Sequence, residues 1–187
     1  MVSGQTTVAV FAGLGAVSGA IATGLLIVLP GHWQFESADL FILSPLSIVA
    51  GLVFGVIFGT FLRYLGLASS RVAVLYAAAS TVSYFLAVNL ALHLVDTIEA
   101  VWLLGAIVGF AGAACLTAAA ARLFPFARQL GPAVLMLVAG GLLGTLLEAP
   151  MRSGSGFLDW LALVAPWQAG YAAAFATALP AVGAAER

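Results

Sequence analysis

Six long apolar stretches, separated by short polar breaks, take up most of the chain. They cover residues 8–29, 40–65, 72–95, 100–121, 132–147 and 157–179. A helix needs roughly 20 apolar residues to cross the hydrocarbon core of a bilayer. Only 7% of the 187 residues are charged and 64% are hydrophobic, so a soluble fold lacks the polar surface to enclose them. The sequence therefore predicts an all-α fold, a polytopic membrane bundle of about six transmembrane helices, with 1–187 forming a single membrane domain.

The charged residues predict how this bundle is oriented. With six spans, most arginines fall on one side of the membrane: Arg63, Arg71, Arg122, Arg128 and Arg187. Most acidic residues fall on the other side: Glu36, Asp39, Asp96, Glu99, Glu148 and Asp159. Only Arg152 and Glu186 depart from this segregation. The positive-inside rule then places both termini in the cytoplasm, and the arginine bias favours a bacterial cytoplasmic (inner) membrane.

Small residues recur at every fourth position of the first two predicted helices. These residues are Ala12, Ala16, Ala20, Gly24, Gly51, Gly55 and Gly59. Residues four apart share a helix face, and small ones let two helix backbones approach closely. Two interpretations stay open. The stripes pack helices within the chain, or one of them docks a partner membrane subunit or a second copy of the chain.

A weak internal repeat links the two halves of the sequence. Residues 59–63 resemble residues 144–148, and residues 76–79 resemble residues 171–174. Two halves of three helices each would have opposite orientations, as in many transporters. Chance matches arise easily between helices rich in alanine and glycine, which is the alternative to a 3+3 inverted repeat.

A few polar residues within the spans are candidates for binding a solute. Polar groups are costly inside a membrane and often mark functional sites. Three candidates share one face at the end of the third span, and three more follow Pro166 in the sixth span. The six candidates are Asn89, His93, Asp96, Trp167, Gln168 and Tyr171. The alternative is hydrogen bonding between helices with no ligand involved.

A second group of polar residues is predicted to lie at the outer surface, where it could capture a solute. Its members are His32, Glu36, Asp39 and Glu99. Imidazole and carboxylate groups can bind a divalent metal or attract a cationic solute. No typical spacing of metal ligands occurs, so a metal stays undetermined, and solvated loop residues are the alternative.

Other classes of function find no support in the sequence. No motif of a serine hydrolase or an intramembrane metalloprotease is present, so we expect no enzyme activity. No cofactor is predicted. The net charge of −1 offers no basic surface for nucleic acid. The lipid bilayer is the one partner that the composition requires.

In its size, predicted span count and alanine-lined first helix, the chain resembles the substrate-binding subunits of energy-coupling-factor vitamin transporters. This resemblance is one of architecture and carries over no residues. It fits the leading hypothesis, a small membrane protein that handles a solute or metal ion as a channel or as the binding subunit of an uptake transporter. The alternative is a non-catalytic structural or assembly subunit of a larger membrane complex.

Overall fold

A computed structural model describes residues 4–29, 45–153 and 157–179. The α-helices in these ranges are α1 (Gly4–Val28), α2 (Pro45–Tyr64), α3 (Ser70–Leu94), α4 (Val101–Leu123), α5 (Leu130–Gly144), α6 (Glu148–Ser153) and α7 (Phe157–Ala176). Two short 3-10 helices, Pro125–Arg128 and Thr145–Leu147, lie before and after α5. No strand occurs in the described ranges, which confirms the all-α prediction.

Five stretches of the described chain are long and apolar enough to cross a membrane. They are Gln5–Val28, Ser47–Tyr64, Ser70–Leu94, Val101–Leu123 and Leu130–Met151. The sixth predicted span corresponds to α7, which has 20 residues but includes Asp159, Pro166 and Gln168. Because α7 packs between α1 and α5, its buried polar groups can face protein instead of lipid. The prediction of a polytopic membrane helix bundle is confirmed.

Local chemistry explains the turn between α2 and α3. Gly66 adopts a φ of 72°, a left-handed conformation that glycine adopts without steric cost. The Ser69 hydroxyl then accepts a hydrogen bond from the Val72 N–H, at 3.3 Å, and caps the start of α3. The sharp turn brings α3 back along α2 in the opposite direction.

The six long helices of the described chain form a closed ring. Neighbours follow the order α1, α2, α3, α4, α5 and α7, and α7 returns to α1. Glycines set the closest approaches. A Cβ added at Gly55 would overlap Ala77 of α3, and one at Gly109 would overlap the Gly140 carbonyl oxygen of α5. Small residues therefore fix the spacing of the ring, as they do in many membrane bundles.

The two predicted stripes are placed differently in this ring. Gly51, Gly55 and Gly59 all face α3 at close range. On α1, the contact with α7 runs through Gly15 and Gly19, which press against the α7 backbone. The predicted α1 stripe is a different set of residues from this contact, and it is only partly buried. Ala12 and Ala16 are half-buried and Ala20 is exposed. A Cβ added at Gly24 would meet no atom within 4 Å. A partner at that face stays a prediction.

The two ends of the bundle differ in charge. The end where α2 finishes and α3 begins, here called the arginine end, has Arg63, Arg71, Arg122 and Arg128. The opposite end, here called the acidic end, has Asp96, Glu99, Glu148 and Asp159. Segments 59–63 and 144–148 lie at opposite ends, as an inverted repeat requires. Whether the two halves superpose stays a prediction.

The half of the bundle next to the arginine end has an aromatic core. Phe175 of α7 lies at its centre and is fully buried. Its ring packs edge-on against those of Phe58 and Phe124, with centroids 5.1 and 5.8 Å away. Fully buried aromatic residues in contact with this cluster include Phe11, Phe54, Tyr76 and Tyr171. Large side chains thus fill the centre of the ring at this end.

Candidate functional site

The half of the bundle next to the acidic end contains a cavity of about 320 Å³. Helices α3, α4 and α7 form most of its walls. The wall residues on these helices include Ala87, Val88, Ala91, Leu104, Val108 and Val164. On α4 the wall includes Gly105, Gly109 and Gly112. A Cβ at Gly105 or Gly109 would overlap a carbonyl oxygen of α5, and one at Gly112 would lie 3.1 Å from the Ala87 Cβ of α3. These glycines therefore allow α4 to pack closely against its neighbours, and the same residues border the cavity.

Two aromatic residues close the cavity on the side of the arginine end. The Trp167 indole N–H donates a hydrogen bond to the Gly140 carbonyl oxygen of α5, at 3.1 Å. Its ring stacks on Tyr171, with centroids 5.8 Å apart, and meets Tyr84 edge-on at 5.1 Å. Of these three rings, those of Trp167 and Tyr84 line the cavity. Contacts on several sides hold this aromatic floor in one position.

Gln168, next to Trp167 in sequence, hydrogen-bonds to two neighbouring helices. Its carboxamide is fully buried. The Ser18 hydroxyl of α1 donates to its Oε1, and its Nε2 donates to the Ala50 carbonyl oxygen of α2, at 3.1 Å. The carboxamide thus ties α7 to both α1 and α2, and it does not line the cavity.

Tyr171 lies below the aromatic floor, on the side away from the cavity. It is fully buried, and its hydroxyl is 3.4 Å from that of Thr117 on α4. Nearby on α3, the hydroxyls of Tyr76, Ser80 and Tyr84 are buried and make no hydrogen bond with the described residues. The Tyr84 hydroxyl lies on the Gln168 side of its ring.

The polar residues at the end of α3 bond to their own helix. Asn89 is buried, and its Nδ2 donates to the Phe85 carbonyl oxygen at 2.9 Å. His93 is exposed, with Nδ1 2.8 Å from the Asn89 carbonyl oxygen, and Asp96 is also exposed. None of Asn89, His93 and Asp96 is among the described residues that line the cavity. The structure therefore brings only Trp167, of the six candidates, into contact with the cavity.

Most of the predicted capture cluster falls outside the described residues, namely His32, Glu36 and Asp39. Glu99 is described and is exposed at the acidic end. In residues 4–29, 45–153 and 157–179, no group of three His, Cys, Asp or Glu residues lies close enough to hold a metal ion. A metal site that includes the undescribed segment stays a prediction.

The candidates predicted from the sequence are polar residues, so they do not include the apolar residues that form the cavity walls. One sequence pattern at the positions of these walls could have been noticed. Gly105, Gly109 and Gly112 follow one another at steps of four and three, which places them on one face of α4. Ala87 and Ala91 form a similar pair on α3. Two smooth faces on consecutive helices indicate either very close packing or a space between the helices, and the sequence does not distinguish these outcomes.

The closed ring of apolar helices defines a polytopic integral membrane protein of the helix-bundle class, with an apolar cavity between its helices. Comparison with protein families, curated proteins and solved structures finds no match to the chain.

Proposed function

We propose that the chain is a membrane-embedded binding protein that holds a small solute in the cavity between α3, α4 and α7. The single observation that carries this proposal is the cavity of about 320 Å³ above a rigid aromatic floor. Ligand sites in proteins commonly have volumes of about 300–1,000 Å³ and are found between the helices of bundles. A binding subunit of an uptake transporter would need a pocket of this kind.

The packing below the floor supports binding over conduction. A channel needs a path through the whole bundle, but the rings of Phe58, Phe124 and Phe175 fill the centre of the arginine half. These residues are each no more than 1% exposed. The cavity thus ends halfway across the bundle. A solute bound there would cross the membrane only after a larger movement of the helices or with the help of a partner protein.

The charge pattern supports an orientation for this binding protein. The positive-inside rule favours the arginine end in the cytoplasm and the acidic end outside. The cavity then lies in the outer half of a bacterial cytoplasmic membrane. A solute would reach it from the outer surface or from the outer leaflet.

The test is to fill the cavity with a side chain and look for loss of a bound molecule. Ala91→Phe places a ring into the space, whereas Ala78→Phe makes the same change at an exposed position of α3. Native mass spectrometry of each protein from nanodiscs reports bound small molecules. We expect a ligand on the wild type and on Ala78→Phe, and its loss from Ala91→Phe. A ligand that Ala91→Phe retains fully would contradict the proposal.

A structural or assembly subunit is the second candidate, and one observation favours it. Ala20 is exposed and nothing in the described chain lies near a Cβ at Gly24, so this part of α1 presents a smooth face to its surroundings. Gly24→Leu would disturb a partner at this face without a clash inside the described chain. If a stoichiometric protein partner copurifies with the wild type and with Ala78→Leu but not with Gly24→Leu, the assembly function is supported.

A further inference from the structure

The chemistry of the cavity walls indicates a class of ligand. Among the described residues that line it, none carries a charge, a carboxamide or an aliphatic hydroxyl. The polar groups of the lining side chains are the indole N–H groups of Trp160 and Trp167 and the Tyr84 hydroxyl. The Trp167 N–H is already bonded to Gly140, and the Tyr84 hydroxyl lies on the side of Gln168. A polar solute would give up its hydrogen bonds with water and gain few in return, which is unfavourable. An apolar ligand loses nothing on entry.

The charges around the cavity bear on the ligand's head group. Arg63, Arg71, Arg122 and Arg128 lie at the arginine end, away from the cavity, and Arg152 of α6 lies at the acidic end. The exposed charges described at the acidic end are those of Asp96 and Glu99. Like charges repel an anionic head at this end, so the pattern disfavours fatty acids and phosphate esters.

The size of the cavity limits the size of the ligand. An engineered apolar cavity of about 150 Å³ in another protein binds benzene and stays free of water. The cavity here is about 320 Å³. By this comparison it accommodates roughly twelve carbon atoms, as two fused aromatic rings or as a short hydrocarbon chain. The flat floor formed by Trp167 and Tyr84 suits either shape.

We infer that the cavity binds an uncharged, apolar ligand of this size, and that it excludes metal ions, polar solutes and anionic amphiphiles. This inference rests on the proposed function, because it assigns a substrate class to the same site. The hydrocarbon could come from a dissolved ligand or from a lipid chain of the bilayer. Of these two sources, the dissolved ligand is the one assigned to the cavity.

A matched pair of brominated probes tests the inference, because bromine quenches tryptophan fluorescence on contact and Trp167 and Trp160 both line the cavity. 1-Bromodecane and 10-bromodecanoate have the same chain length and differ in charge. In nanodiscs, we expect 1-bromodecane to add a saturable quenching step to the gradual quenching caused by partition into lipid. The step should remain in Ala78→Phe and disappear in Ala91→Phe. 10-Bromodecanoate should bind at least about tenfold more weakly because of the acidic end.

The outcomes separate the inference from the proposed function. Equal or tighter binding of 10-bromodecanoate overturns the exclusion of anionic amphiphiles. A second outcome is that 1-bromodecane gives no saturable step, while native mass spectrometry finds a polar ligand on the wild type and not on Ala91→Phe. That outcome overturns the inference of an apolar ligand and leaves the proposed function standing. Absence of the step and of any ligand that depends on Ala91 overturns both.

A second arm identifies the source of the hydrocarbon. Nanodiscs made with dibrominated phosphatidylcholine contain the quencher only in lipid chains. If these lipids quench the wild type and Ala78→Phe more than Ala91→Phe, a bilayer chain occupies the cavity, and the inference of a dissolved ligand is overturned. If the three proteins are quenched equally, lipid chains do not enter, and the saturable step belongs to the dissolved ligand.

Discussion

The two halves of the bundle are built by the same ring of helices but filled differently. In the arginine half, the rings of Phe58 and Phe124 both pack against that of Phe175 at the centre. In the acidic half, alanines of α3 and glycines of α4 are among the residues that line the cavity. The helices continue through both halves, so the difference lies in side-chain volume and not in the path of the backbone.

The boundary between the halves is the level of α7 where Trp167 and Gln168 lie. Trp167 faces the cavity and closes it, while Gln168 faces away and ties three helices together. The Trp167 ring stacks on that of Tyr171, which belongs to the aromatic core. A packed and hydrogen-bonded layer thus separates the cavity of the acidic half from the aromatic core of the arginine half. We infer that the arginine half supplies stability, which leaves the acidic half free to vary in shape.

The largest expected effect comes from removing a ring at the centre of the arginine half. Phe175→Ala should lower the free energy of unfolding by about 3–5 kcal/mol, because the vacated space cannot collapse. Phe157→Ala is the matched control on the same helix, where the ring is 41% exposed. Reversible unfolding in mixed micelles measures both. Similar losses for the two variants would mean that the arginine half is not the stable part of the bundle.

An intermediate effect distinguishes the halves by adding volume instead of removing it. Ala120 is fully buried in the arginine half, and Ala91 lines the cavity. Ala120→Phe should cost about 1–3 kcal/mol through overpacking. Ala91→Phe should be close to neutral, because its ring enters open space. The same unfolding measurement applies, and an equal cost at both positions would argue that the cavity closes up in the membrane.

The smallest effect concerns the tie at the boundary. Gln168→Leu removes two hydrogen bonds between helices, each worth about 1 kcal/mol or less in membrane proteins. We expect a loss of stability of about 1–2 kcal/mol with unchanged quenching by 1-bromodecane. Gln129→Leu, at an exposed position, serves as the control. Loss of probe binding at normal stability would support the prediction that Gln168 is a solute ligand.

The positions of the helices could be predicted well from the sequence. The third apolar stretch, residues 72–95, corresponds to α3 at Ser70–Leu94, and the fourth, residues 100–121, to α4 at Val101–Leu123. Hydropathy is a property of each stretch alone, so it needs no knowledge of the neighbouring helices. The fifth stretch was less regular. A 3-10 helix follows α5 at Thr145–Leu147, before α6.

The site was harder to predict because it depends on which helix faces which. Trp167 and Gln168 are adjacent in sequence, yet a rotation of about 100° per residue turns their side chains toward different neighbouring helices. The α1 stripe shows the same limit. Alanines at every fourth position marked one face, whereas Gly15 and Gly19 make the contact with α7. A single sequence gives the spacing along each helix but not its rotation about its own axis.

The closing of the ring by α7 has a consequence for how the protein is made. A ribosome synthesises α1 to α6 before α7. The gap between α1 and α5, here called the seam, therefore stays open until α7 has been made. Until α7 is inserted, the Ser18 hydroxyl has no glutamine to bond and lies at that seam. Assembly in the membrane therefore waits for a helix made long after its first neighbour. A nascent chain stopped before Phe157 would present an open edge that insertion factors and quality-control proteases can recognise.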